Sequence, residues 1–531
     1  MPNLRLMPRL FGLLLATALA AGCASGRPPA STSPASARGG VTNAVTGAER
    51  QRWLEMFARA YFPGRSGQVF IVPRQGHVIT SRGPYPFMHG SPWEYDVHIP
   101  LLLYGPGQIV PGDYTQSAVQ QDVAPTLASI IGAYRPPTMA GRVLMEALAP
   151  NAPRPRLVVL MVFDGMRADY FDKYADVMPT LTRLRRDGAW FRNTRINYLP
   201  TLTSIGHATI GTGADPSVHG LVVNNLFNRV TGKPQETYLD LNPDEMMALT
   251  LADVWNLTTD GRAIIVGQGG AIRATAGLLG HGACIVSGRK VMASSYSTRD
   301  AGWETNPDCY RLPDYLKAIN GRPFWEEAGG TWMGHQINNP AAFRSSSLFQ
   351  RFEGEALAAV ATNEAFGADD VTDLLFVNTK GPDYVGHAYG PDSPEIKVEM
   401  EELDRQVARL LDILTAKAGP NGLVVAITAD HGMPMEPEQG RRHYITDIAA
   451  RIHGAFDPDD KKVITYYGDA ANSQVFIDTE RLRTRGFSLK DITTMLEGEP
   501  YVAAAFTEEE VQHARRALPA TSASSGVPAA P

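Results

Sequence analysis

Asp430 and His431 stand side by side in "TADHGMP", where the chain leaves an apolar run and both side chains can turn into one site. "GPDYVGHAYG" sets Asp383 and His387 four residues apart, which on a helical turn puts both on one face, spaced for one cation. Asp164, in "FDGMRADYF", closes another apolar run. Each has an ordinary structural reading too: a turn hydrogen bond, an Asp–His ion pair and a helix N-cap. In "YLPTLTSIGHATIGTG", residues 198 to 213, Thr201 or Thr203 could simply cap the helix that begins near Ser204. The functional reading places Thr203 at a helix N-terminus, where backbone N–H groups and the dipole favour a phosphate. A threonine hydroxyl has too high a pKa to attack unaided, so it needs a metal, which the Asp and His groups could hold.

These side chains converge only if the elements beneath them align. "LVVLMVF" (157 to 163), "DLLFVN" (373 to 378), "LVVAITAD" (423 to 430), "QVFIV" (68 to 72) and "IPLLLYG" (99 to 105) read as buried parallel strands. Helical patterns lie between them, such as the run from Ser393 with its serine cap, acidic first turn and closing glycine. The expectation is an α/β fold, with a mostly parallel central sheet flanked by helices and ligands at the carboxyl ends of the strands. Residues from about 226 to 345, rich in Gly, Asn and aromatics, are expected to be an inserted cap over that edge.

The chain has 531 residues, 44% hydrophobic and 20% charged, enough for a large core. A net charge of -6 provides no basic excess for nucleic acid, and no nucleic-acid-binding surface is expected. Residues 1 to 23 carry Arg5 and Arg9, an apolar stretch too short to span a bilayer, and small residues up to Cys23, the pattern of a secretory signal. Ala20-Ala21-Gly22-Cys23 resembles a bacterial lipobox, with an ordinary signal and a chance cysteine as the alternative. The resemblance implies an exported lipoprotein, anchored through Cys23 to the outer membrane and facing the periplasm. Residues 24 to 48 would be a flexible tether. Export would let Cys284 and Cys309 pair, although two buried thiols fit equally.

"VFDGMRADYF", "PTLTSIGHATIGTGADPSVHGLVVNN", "GPDYVGHAYGP" and "ADHGM" together resemble the alkaline phosphatase superfamily, in the branch of nucleotide pyrophosphatase/phosphodiesterases and bacterial alkaline phosphatases with a threonine nucleophile. The resemblance implies two zinc ions and a small phosphate ester or nucleotide substrate. One ion would be bound by Asp164, Thr203, Asp430 and His431, the other by Asp383, His387 and one more histidine. Asn224 matches the residue that hydrogen-bonds a phosphoryl oxygen.

That family places the last histidine in an "HGS"-like turn near its C-terminal end. Downstream of His431 stand only His443, His453 and His513, none in such a context, whereas "MHGSPWEYDVHIPLLLYGPG" upstream contains His89 in that turn. The chain therefore resembles a circular permutant, with residues 49 to 148 as the displaced C-terminal part of the catalytic domain. A Pro-rich junction (149 to 156) would lead into the main part (157 to 512), followed by a disordered tail (513 to 531). His89 would be the missing ligand; the alternative is a core histidine in a separate N-terminal domain.

Monoesterases of this branch resemble one another in a Lys and an Arg two residues apart that clamp a phosphate dianion. In "GGAIRATAGLLGHG", Arg273 is present but the Lys position falls on Ala271. Two cations favour a dianion over a monoanion, so phosphodiester or nucleotide pyrophosphate hydrolysis is the leading expectation, with an alkaline phosphomonoesterase as the alternative. Arg273 could equally be a solvated cap residue. A sulfatase would need Cys or Ser in a Cys/Ser-x-Pro-x-Arg context, and Thr203 is followed by "SIGH". A non-catalytic lipoprotein scaffold would have no reason to keep seven candidate ligands.

Overall fold

The computed structural model describes residues 45–81, 83, 85–284, 291–435, 441–468 and 473–518. The signal, Cys23 and most of the tether lie outside the described residues. In chain order, the elements that position the site begin with α1 (Gly47–Ala60), β1 (Val69–Pro73), β2 (Leu101–Tyr104), β3 (Gly112–Ala118), β4 (Leu157–Phe163) and β5 (Ala189–Thr194). There follow α2 (Thr203–Thr212), β6 (Ile265–Gly269), α3 (Ile272–Leu279), β7 (Met292–Tyr296), β8 (Trp303–Glu304) and α4 (Ser347–Asn363). The last are β9 (Asp373–Thr379), α5 (Gly381–Tyr389), α6 (Pro394–Ala418), β10 (Leu423–Thr428), β11 (Ile464–Tyr466), β12 (Gln474–Ile477), β13 (Val502–Thr507) and α7 (Glu508–Ala517).

Among the described residues, nine strands form a mixed, mostly parallel sheet in the order β8-β7-β6-β9-β4-β10-β2-β5-β3. At its centre β4 is buried throughout, and its alternate residues feed two cores. Leu157, Val159, Met161 and Phe163 face one side, while Val158, Leu160 and Val162 face the other. Covering both faces with helices explains why these strands read as continuous apolar runs rather than as alternation. Parallel pairing aligns Phe163 of β4 with Thr379 of β9, and Val162 with Thr428 of β10. The residues following all three strands therefore emerge at one edge.

Two of the strands expected to be parallel are not. β2 runs antiparallel to both β10 and β5, with Leu101 opposite Thr428. "QVFIV" contributes β1 to a separate four-stranded sheet, β11-β12-β1-β13, where it pairs antiparallel with β12 and β13. An apolar run signals burial of both faces but contains nothing about direction, which the connections decide. The stretch from about 226 to 345 is likewise not only a cap, because β6, β7 and β8 complete one end of the central sheet. Its strands are short and Gly- or Ser-bearing ("IVGQG", "MASSY"), so their apolar signal is weak.

The beginning and end of the described chain meet. Val69 pairs with Thr507 and Phe70 with Phe506, α1 packs against α7, and Tyr61 donates to Glu508 Oε1 at 2.6 Å. α7 extends to Ala517, into the segment expected as a tail from residue 513. Thr46 and Glu49 form a capping box that starts α1 within the expected tether. Cys284 and Cys309 form a disulfide. No helix among the described residues is long and apolar enough to cross a membrane.

Because β2 lies between β10 and β5, Leu102, which is fully buried, should be a core residue of the whole domain. Leu102→Ala is expected to lower unfolding stability by about 2–5 kcal/mol in urea titration. A loss under about 1 kcal/mol would mean that this segment folds apart from the rest.

Candidate active site

Asp164 follows β4, and its backbone N–H donates to Thr379 O at 3.0 Å, which ties the ends of β4 and β9 together. Asp430 and His431 follow β10, and Asp430 Oδ1 accepts from the N–H groups of Gly165 and His431 at 3.1 and 3.0 Å. Asp383 and His387 lie on one face of α5, with His387 Nε2 3.1 Å from Asp383 Oδ1. Thr203 is the first residue of α2, and its Oγ1 lies 3.4 Å from His431 Nε2. His89 arrives from the turn before β2. An antiparallel strand has its start at the edge where parallel strands have their ends, so "HGS" reaches the same place as Asp164 and Asp430.

All seven expected ligands thus lie in one buried cluster. His89, Asp383 and His431 present ligand atoms within 4.8 Å of one another, as do Asp164, His207 and Asp430. His431 Nε2 joins the two groups, at 3.2 Å from Asp430 Oδ2, 3.4 Å from Asp164 Oδ1 and 4.0 Å from Asp383 Oδ1. The His89 ring stacks on His431 at a centroid distance of 3.4 Å. Three histidines are oriented in the same way, with Nδ1 on a backbone carbonyl: His89 on Thr201 at 2.7 Å, His387 on Phe87 at 2.6 Å and His431 on Gly432 at 2.9 Å. Nδ1–H donating outward leaves the Nε2 lone pair facing the cluster, the tautomer that ligates a metal. Burial pushes the His431 imidazole down to about 3, and burial with the neighbouring His431 and His387 holds His89 well below its ordinary value. Neutral rings are ligand-competent rings.

The carboxylates supply the test of fit. Asp383 Oδ1 and Asp430 Oδ2 are buried without a hydrogen-bond partner, an arrangement that is costly unless a cation or proton compensates it. Burial and the neighbouring Asp164 push Asp430 well above the usual carboxylate range. Buried carboxylate oxygens and neutral imidazole nitrogens together are a donor set for a divalent ion such as zinc.

Three participants escaped the sequence reading. His207 lies beneath Thr203, with Nδ1 on Thr203 O at 2.9 Å and Nε2 on Asn378 Nδ2, also at 2.9 Å. With both ring nitrogens engaged, it buttresses the turn that carries Thr203. Asn378 also donates to Asp164 Oδ2 at 3.1 Å. Lys380 Nζ contacts Asp164 Oδ1 at 2.5 Å, Asp383 Oδ2 at 2.6 Å and Thr203 Oγ1 at 3.1 Å. Its position immediately after β9, at the edge where Asp164 and Asp430 were expected, was the available signal.

The two residues expected at the phosphate are less engaged. Asn224 Oδ1 accepts from Ser204 N–H at 3.1 Å, capping the first turn of α2. Arg273, near the start of α3, donates to Glu236 Oε1 at 3.1 Å and has a buried Nε without a partner. Ala271 is the N-cap of that helix, so no cation stands at the expected Lys position.

A family model described as type I phosphodiesterase / nucleotide pyrophosphatase matches residues 158–512. Alkaline phosphatase PafA of Elizabethkingia meningoseptica is 27% identical over 432 residues, covering 69% of this chain and 78% of that protein. Alkaline phosphatase PhoK of a Sphingomonas species is 25% identical over 419 residues, covering 67% and 71%. The crystal structure of wild-type PafA superposes with a TM-score of 0.56 at 24% identity, over 66% of this chain and 78% of that one, a likeness of fold.

Proposed function

The chain belongs to the type I phosphodiesterase / nucleotide pyrophosphatase family, and from that premise we propose a zinc-dependent hydrolase of phosphodiesters or nucleotide pyrophosphates working through a phospho-threonine intermediate. The family is one of phosphoric ester hydrolases. The observation that carries the mechanism is the convergence of buried Asp and His donors from separate chain segments on Thr203 Oγ1 at a helix N-terminus. Asp164, Thr203, Asp430 and His431 would hold one zinc ion, and Asp383, His387 and His89 the other. Bound there, the ions would lower the pKa of the Thr203 hydroxyl and neutralise charge on the leaving oxygen.

Thr203 Oγ attacks phosphorus in line with the leaving group. The bond from Oγ to phosphorus forms, the bond to the leaving oxygen breaks, and that oxygen departs with the proton that the Thr203 hydroxyl gives up. Water then attacks from the vacated side, the Oγ–P bond breaks and the hydroxyl is restored. The N-terminus of α2 would turn its dipole to the phosphoryl oxygens, and Asn224 would donate its amide to one of them. His207 and Asn378 hold the turn beneath the nucleophile.

Ala271 in place of a second cation supports the diester reading. The alkaline phosphatase names of the two relatives support phosphomonoester hydrolysis as the second reading. We read the chain as circularly permuted, supported by the family match beginning at residue 158, the delivery of His89 from before it, and the pairing of β1 with β13. Attachment to the outer membrane through Cys23, facing the periplasm, completes the proposal and rests on the lipobox-like sequence alone.

With saturating zinc, elemental analysis should find about two ions per chain. Thr203→Ala should abolish turnover with the fold intact, and His89→Ala should lower zinc content; full activity in the first would mean another nucleophile. Comparing kcat/KM for bis-p-nitrophenyl phosphate with p-nitrophenyl phosphate decides the substrate class, and a clear preference for the monoester overturns the leading reading. Cys23→Ser should move the protein from the membrane fraction to the soluble one on cell fractionation, and unchanged membrane association would remove the anchor.

A further inference from the structure

Lys380 is a charged side chain of the cluster that the mechanism above does not use. It is 1% exposed, and its ammonium bridges Asp164 Oδ1, Asp383 Oδ2 and Thr203 Oγ1. The first and third of those atoms belong to one expected ion position and the second to the other. The placement is built into the fold. The Lys380 backbone N–H lies 3.3 Å from both carboxylate oxygens of buried Glu353. Gly270 leaves room for the side-chain stem, since a Cβ there would stand 2.4 Å from Lys380 Cβ.

The ammonium treats the two positions unequally. On the histidine-rich side, Asp383 Oδ1 is buried without a hydrogen bond, with His387 Nε2 at 3.1 Å and His89 Nε2 at 3.8 Å. On the Thr203 side, Lys380 donates to both Asp164 Oδ1 and Thr203 Oγ1, two of the four atoms that would surround an ion there. A divalent ion on those oxygens would stand against a buried ammonium.

We propose that Lys380 is a tethered cation that competes with the ion on the Thr203 side. The centre then binds one divalent ion tightly through His89, Asp383 and His387. It binds a second only as the ammonium gives up Asp164 and Thr203. Lys380 is in this sense a positioning residue that sets metal occupancy, and the inference rests on the metal-dependent reading above.

The test uses full-length protein loaded with zinc, one portion dialysed against metal-free buffer for its retained zinc and another titrated undialysed with a chromophoric chelator, beside Lys380→Met and Lys380→Ser. Wild type should retain about one zinc per chain and release its two ions in phases separated at least about tenfold in affinity. Both variants should retain about two, with the weaker position tightened at least about tenfold. Zinc should also raise the Tm of the variants more than that of wild type, because removing the ammonium leaves three buried carboxylates to be neutralised by metal alone. Single-phase release of two ions from wild type overturns the proposal whether or not the variants fold, as does equal retention by wild type and variants; either leaves the metal-dependent reading standing. Absence of zinc from all three proteins overturns that reading and this inference together.

Discussion

Three carboxylates buried at one edge of one sheet are the constraint on which the rest of this molecule depends. Asp164, Asp383 and Asp430 are each essentially inaccessible to solvent, and burying like charges together is tolerable only with cations or protons beside them. The surrounding architecture follows from that requirement. Neutral imidazoles line the cluster with their lone pairs inward, an ammonium lies between the two groups, and a helix begins at Thr203 with its N-terminus in the field of the carboxylates. In a phosphoryl-transfer site the same electrostatics serve the reaction, because positive charge held for the carboxylates is also held for the transferring phosphoryl group.

Strand direction is the second organising fact. β4, β9 and β10 run parallel and bring Asp164, Lys380 and Asp430 to one edge through their carboxyl ends. β2 runs the other way, so the residues before it, not after it, reach that edge. This is why a histidine near the start of the chain completes a cluster whose other members lie far along it. The peripheral sheet joins β1 to β13, so the first and last described strands are neighbours.

Much of this was legible in the residues. The continuous apolar runs at 157, 373 and 423 identify strands buried on both faces, and the acidic or histidine residues that close them mark one edge. The caps of α6 are readable letter by letter: Ser393 accepts from Ile396 N–H, Glu395 stands in the first turn and Gly419 closes the helix with a φ of 81°. What was not legible has physical causes too. β6 places Gly267 and Gly269 where Leu279, Thr275 and Asn378 approach closely, and β7 carries two serines, so neither shows the apolar run that would reveal a strand. The direction of β2 and the departure of β1 to another sheet depend on connections that an apolar run does not encode.

The sequence by itself determined the chemistry on offer: which residue types could ligate, which hydroxyl stood at a helix start, and that Ala271 leaves one cation out of its expected place. Only the tertiary structure decided how these groups divide their contacts. It put the Lys380 ammonium on Asp164, Asp383 and Thr203, engaged both nitrogens of His207 beneath Thr203, and tied Arg273 to Glu236. The reason is one of range. Capping and apolar periodicity act over a few residues and are written in local order, whereas the field inside a buried site is the sum of charges brought from across the chain and exists only once the sheet has closed around them.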